Sequence, residues 1–320
     1  MNPLAFRLMI LRFLSFSLFL SFLAVSTVRA EGDTVRLLTI GNSFSRNATN
    51  HLDDLAAAGG HTLIHRSIVV GGASLELHAG KAQKHEANPE DKAGLYKNGL
   101  SLKAELLAEP WDYVTIQQAS VKSHDLATYR PFAQWLADYS ATYAPTAKLL
   151  VHQTWAYRKD DPRFTQPSDK PGEPATQEEM YHGLTTAYET IAAELGARLI
   201  PVGDAFFAAG TDAKWGFQPD TTFNFNSAQP PELPLQTHSL HVGWRWAKPA
   251  TGGEIKLGMD GHHASLAGEY LGACVWYEVL FGGSTVGNVY LPKGIEVDYA
   301  RFLQETAHRV VSSRAIEKAP

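Results

Sequence analysis

The chain has 320 residues, with 28 lysines and arginines against 33 aspartates and glutamates and a formal net charge of −5. No cluster of basic residues stands out, which excludes the electrostatic footprint of a nucleic-acid or anionic-membrane binder and favours a neutral substrate. One cysteine, Cys274, excludes an intramolecular disulfide, so stability has to come from a packed core, for which about 290 residues suffice.

Arg7 and Arg12 precede an apolar run from Leu14 to Val25, and Val28, Arg29 and Ala30 follow as a small-x-small site. This is the pattern of a signal peptide over residues 1–30. The apolar run is shorter than the roughly 20 residues of a spanning helix, and no cysteine stands at the cleavage site to carry a lipid. Residues 31–320 are therefore expected to be an exported domain, periplasmic or extracellular, that does not associate with a membrane after cleavage.

Short apolar runs then alternate with segments of helical period, without repeats, which is the mark of a parallel α/β fold. Strands are expected at Val35–Ile40, Leu63–Val70, Tyr113–Ile116, Leu149–Val151 and Leu199–Val202, as near-continuous apolar runs covered by helices on both faces. Ala48, Leu52 and Leu55 share one helical face before Gly59 and Gly60. Further helices fit Leu95–Leu107, Tyr129–Tyr143 and Glu178–Leu195. A last one starts near Ser265, where Tyr270, Leu271, Cys274, Tyr277 and Phe281 recur at helical spacing and make Cys274 a small core residue. Two stretches break the rhythm, Lys159–Pro174 and a longer insertion at about 210–255 crowded with proline, glycine and aromatics. Loops of that length usually serve as lids or binding loops.

The first strand runs into Gly41, Asn42, Ser43, Phe44 and Ser45, so Ser43 falls at the carboxyl edge of a parallel sheet, where ligands bind. A serine there suits a nucleophile beside backbone N–H groups that stabilise an oxyanion. Taken alone, Ser43 or Ser45 reads equally well as a helix N-cap. More than two hundred residues later come Asp260, Gly261, His262 and His263, an aspartate three residues before a histidine and just ahead of a helix. That spacing suits a base and the carboxylate that orients it, although Asp260 also reads as a helix cap.

Together these segments resemble the SGNH (GDSL-like) hydrolase superfamily over nearly the whole chain after the signal. The first motif reads Ile40, Gly41, Asn42, Ser43, with asparagine where many members have aspartate, and the last reads Asp260, Gly261, His262, His263. The resemblance implies a flavodoxin-like three-layer α/β/α sandwich around a mostly parallel five-stranded sheet. It also implies a catalytic triad of Ser43, His263 and Asp260. The family's oxyanion glycine falls at Gly72, with Gly71 next to it, in Val70, Gly71, Gly72, Ala73, Ser74. The usual asparagine after the third strand is replaced by Gln117 and Gln118. Gln118 aligns best, so the implied oxyanion hole is Ser43, Gly72 and Gln118, with Gln117 as the other register. After the fourth strand, His152 and Trp155 are candidates to line a sugar site.

These residues imply an acyl-serine esterase acting on a small-molecule or glycan ester, with an acetyl group favoured by export and by plentiful aromatics. No cofactor is expected, and no metal, since the histidines show no HExxH-like spacing. The rival reading is a non-catalytic carbohydrate-binding protein on the same scaffold, suggested by Trp155, Tyr157, Trp244 and Trp246. Nothing in the sequence specifies an oligomeric state.

Overall fold

A computed structural model describes residues 32–249 and 252–316. The expected signal peptide lies outside the described residues. Five strands, β1 (Thr34–Gly41), β2 (Thr62–Val69), β3 (Tyr113–Ile116), β4 (Lys148–His152) and β5 (Arg198–Ile200), form one sheet. Their order is β2-β1-β3-β4-β5 and every pairing is parallel. The strand order reverses between β1 and β3, so the crevice at their carboxyl ends is where such a sheet admits a ligand. All five strands lie within two residues of their expected positions. β2 differs in character, because as an edge strand it leaves much of its length half-exposed or exposed.

The helices are α1 (Ser43–Thr49), α2 (Leu52–Ala58), α3 (Leu75–Ala87), α4 (Leu102–Leu106) and α5 (Phe132–Tyr143), then α6 (Pro162–Thr165), α7 (Gln177–Glu194), α8 (Val202–Gly210), α9 (Leu266–Phe281) and α10 (Val297–Ile316). α1, α2, α8 and α10 gather round α9 on one face of the sheet, while α3, α4, α5 and α7 cover the other. This is the three-layer α/β/α sandwich. α9 is buried on nearly every side, from Tyr270 and Leu271 through Cys274 and Trp276 to Leu280, as expected of a helix that is apolar all round. Cys274 is a core residue with no exposure.

Several expectations are corrected. The helical face of Ala48, Leu52 and Leu55 belongs to two short helices, because the chain breaks at Asn50 and His51. Of Leu95–Leu107 only the last turn is helical, since Tyr96 leaves helical register to donate or accept a hydrogen bond with His78 Nδ1 at 2.9 Å. α3, α6, α8 and α10 fall where no helix is expected. Nor does the sequence point to the hairpin in which β6 (His241–Ala247), within the expected insertion, pairs antiparallel with β7 (Lys256–Ala264). The Asp260–His263 segment, expected just ahead of a helix, lies on the strand that leads into α9.

Three histidines are enclosed by this packing. His78 sits between Tyr96 and the Gly41 carbonyl, His152 reaches Gln117, and His241 reaches the Ala156 carbonyl. Burial pushes them down to about 4, about 3 and about 3 respectively. Folded, they stay neutral; unfolded, each takes up a proton near ~6.5. Stability is thus intact above that value and declines as pH falls towards 3–4, where the folded histidines also titrate. At pH ~5.5 the loss is on the order of 1 kcal/mol for each histidine. The melting temperature should fall by several degrees from pH 7.5 to 5.5; an unchanged melting temperature would contradict the burial of neutral imidazoles.

Candidate active site

The nucleophile candidate is set by the residue before it. Asn42 leaves β1 in an extended conformation and caps α1, its Oδ1 accepting from Phe44 N–H at 2.9 Å. The same oxygen accepts from Gln117 Nε2 at 2.7 Å, and Asn42 Nδ2 donates to the Ala73 carbonyl at 2.9 Å. One buried amide thus ties the ends of β1 and β3 to the turn after β2. Gly41 leaves room for this network, because a Cβ there would lie 2.6 Å from Ser45 Oγ and 2.9 Å from Gln117 Oε1 and would force those side chains to shift. Ser45 Oγ donates to the Asn42 carbonyl and Ser74 caps α3. Ser43 is left with a free side chain, and its Oγ lies 2.9 Å from His263 Nε2.

His263 stands at the end of β7. Its Nδ1 is 3.1 Å from each carboxylate oxygen of Asp260, and its backbone N–H donates to Asp260 Oδ1 at 3.1 Å. With the Nδ1 proton given to Asp260, Nε2 is an acceptor facing the Ser43 hydroxyl. Asp260 is 9% exposed. Burial alone would raise its pKa, but hydrogen bonds from the His263 ring and backbone outweigh it and hold the carboxyl well below the usual carboxylate range. Arg245, on β6, brings Nη2 to 3.5 Å from Asp260 Oδ2.

The strand carrying these groups is fastened from behind. Trp155 Nε1 donates to the His262 carbonyl at 2.9 Å, and Arg158 N–H donates to the Gly261 carbonyl at 2.8 Å. Arg158 is 1% exposed. Its guanidinium donates to both Asp160 carboxylate oxygens at 2.6 and 2.9 Å, to Gln236 Oε1 at 2.7 Å and to Ser239 Oγ at 3.1 Å. A buried guanidinium needs such partners, and here they join the loop after β4 to the inserted segment and the hairpin.

Across from Ser43, Ala73 N–H donates to the Val70 carbonyl at 3.1 Å and closes a turn in which Gly72 has φ +66°. Only glycine adopts that conformation readily. The N–H groups of Ser43 and Gly72 donate to no acceptor among the described residues, which makes them available to an oxyanion.

The other sequence candidates move. Gln118 is fully buried and spent: its Nε2 donates to the Thr128 carbonyl and hydroxyl, and its Oε1 accepts from Leu75 and Ala119 N–H. It braces the loop after β3 and is not an oxyanion donor. Gln117 is the glutamine that meets the nucleophile segment, through Asn42. His152 and Trp155 are likewise fully buried, so neither lines a sugar site. His152 Nδ1 bonds Gln117 Oε1 at 2.8 Å, and Trp155 packs between Phe44 and Phe206 with ring centroids 4.4 Å from each. Arg158, Arg245 and the bracing role of Asn42 carried no motif in the sequence.

The family described as a domain of unknown function, DUF4886, matches residues 36–220, a span that holds Ser43, Gly72 and Gln117 and ends before Asp260 and His263. No curated protein matches the chain. A DUF4886 family protein from Bacteroides uniformis, known from a crystal structure, is 26% identical with a TM-score of 0.64, covering 88% of this chain and 96% of its own. A protein from Slackia heliotrinireducens classed provisionally as an SGNH hydrolase is 24% identical with a TM-score of 0.46, over 78% of this chain and 100% of its own. A carbohydrate acetylesterase from Sinorhizobium meliloti is 16% identical with a TM-score of 0.34, over 53% of this chain and 85% of its own. Likeness at the last two scores extends to no statement about activity. The sandwich, with strand order β2-β1-β3-β4-β5, is the flavodoxin-like three-layer α/β/α fold expected from the sequence, and the chain belongs to the DUF4886 family.

Proposed function

We propose that this protein is an exported serine esterase that removes a small acyl group, acetyl foremost, from a neutral carbohydrate ester. The observation that carries the reading is the unbroken hydrogen-bonded chain from Ser43 Oγ through His263 to Asp260. A protein that only binds sugar has no use for it. Ser43 Oγ attacks the ester carbonyl while its proton passes to His263 Nε2, which then protonates the departing alcohol. Water, deprotonated by the same nitrogen, releases the acid from the acyl-serine. Asp260 stays ionised throughout and holds the tautomer. The N–H groups of Ser43 and Gly72 receive the oxyanion, and Asn42 and Gln117 keep the two at a fixed separation.

The substrate class rests on the expected export, the lack of a basic cluster in a mildly acidic chain and the aromatic residues of the inserted segment. There Phe225, 43% exposed, packs on Trp244 with ring centroids 4.6 Å apart and replaces the buried Trp155 as a surface for a sugar ring.

Ser43→Ala should lower hydrolysis of p-nitrophenyl acetate by roughly three orders of magnitude or more without changing the circular dichroism spectrum. Full activity in that variant would remove the nucleophile from the scheme. Asp260→Asn should cost about 10³–10⁴ in kcat, since an amide can present either atom to the imidazole and no longer fixes its tautomer. A rate like that of the wild type would reduce Asp260 to a structural residue.

The two glutamines separate in a second comparison. Gln117→Ala should reduce kcat by about tenfold to a hundredfold with little change in KM, because Asn42 and the Ser43 N–H lose their brace. Gln118→Ala should leave kcat nearly intact and lower the melting temperature. The reverse pattern would restore Gln118 as the oxyanion donor.

A further inference from the structure

His262 has no part in the reaction above, yet it stands against the same carboxylate. Its Nδ1 lies 3.4 Å from Asp260 Oδ1, the same oxygen that His263 Nδ1 meets at 3.1 Å. The two imidazoles are neighbours, with ring centroids 4.2 Å apart and their planes tilted by 45°. Asp260, His262 and His263 each bring one ligand atom within 4.8 Å of the others. Ligands on a tetrahedral zinc, with bonds of 2.0–2.2 Å, are separated by about 3.3 Å; the two separations from the carboxylate lie close to that, and the two imidazole ligand atoms lie within 4.8 Å of each other. The side chains of His262 and His263 are 39% and 33% exposed, which opens the cluster to solvent. The hydrogen bonds of Trp155 and Arg158 to the backbone carbonyls of residues 262 and 261 hold it in place.

We propose that Asp260, His262 and His263 form an inhibitory site for a borderline divalent cation, zinc foremost, through one carboxylate oxygen and two imidazole Nδ1 atoms. Two imidazoles with one carboxylate suit zinc, copper or nickel and not magnesium or calcium, which take oxygen ligands. Coordination at His263 Nδ1 displaces the proton held there, which passes through solvent to Nε2, so no net proton is released. Nε2 then points an N–H at Ser43 Oγ instead of a lone pair, and the serine has no base. The ion also takes the carboxylate that would have stabilised the imidazolium. Inhibition needs no movement of Ser43 and no blocking of the crevice. The inhibition rests on the esterase reading; the binding does not.

The test uses protein freed of metal with EDTA and passed through a desalting column. Such protein should be fully active on p-nitrophenyl acetate. Added zinc chloride should abolish hydrolysis, magnesium should not, and EDTA should restore the rate. Calorimetry should give one zinc per chain. His262→Gln should keep its rate without metal to within about twofold and need at least tenfold more zinc for half inhibition, matched by an equal weakening in calorimetry. His262→Asn, with the same melting temperature as wild type, should behave alike. The proposal is overturned if either variant is as zinc-sensitive as wild type, or if zinc raises the rate. Calorimetry on Ser43→Ala keeps the two readings apart: zinc binding there with no esterase activity in wild type would defeat the function and leave the site standing, whereas activity without zinc binding would defeat the site alone.

Discussion

A carboxylate nine-tenths hidden from water keeps its charge only if donors replace the water it has lost, and Asp260 is in that position. Its donors are the ring and backbone N–H of His263, with Arg245 at longer range. All of them come from the β6–β7 hairpin. The inserted segment thus builds the acid–base half of the site: β6 supplies Arg245 and the pairing that holds β7, and the buried Arg158 ties both to the loop after β4. An account that treated residues 210–255 as a lid would miss that removing them removes the partner of the strand bearing His263.

The nucleophile half depends on a different group. Asn42 uses its amide in both senses, accepting from Phe44 and Gln117 and donating to Ala73. An aspartate, common at this place in the resembling superfamily, would set a carboxylate oxygen against the Ala73 carbonyl and lose the donor. Asparagine at 42 and glutamine at 117 therefore complement each other: each is an amide, and His152, neutral because it is buried, completes the line behind Gln117. Such a chain of neutral groups holds geometry without charge, leaving Asp260 as the one ion directly behind the base.

Much of this was legible in the sequence. Parallel strands are apolar and end in small or polar residues, so β1, β3 and β4 fell within two residues of their places, and the serine and the aspartate–histidine pair were exposed by position and spacing. What failed did so for identifiable reasons. Tertiary pairing decides whether a short aromatic stretch is strand or loop, and β6, with Trp244, Arg245 and Trp246 alternating, has a period of two that its proline-rich surroundings concealed. Trp155 and His152 look like binding residues because of their type, and only packing shows that they face the core. The choice between Gln117 and Gln118 is one of side-chain direction at a strand end, which alternates with each residue and which a single residue of register reverses.

The most direct test of the central claim, that His263 and Asp260 make Ser43 nucleophilic, is covalent labelling with a small organophosphonate followed by peptide mass spectrometry. The account predicts one adduct per chain, on Ser43, with labelling slowed by orders of magnitude in His263→Ala and Asp260→Asn. An adduct on Ser45 or Ser74, or labelling of Ser43 at an unchanged rate in His263→Ala, would contradict it.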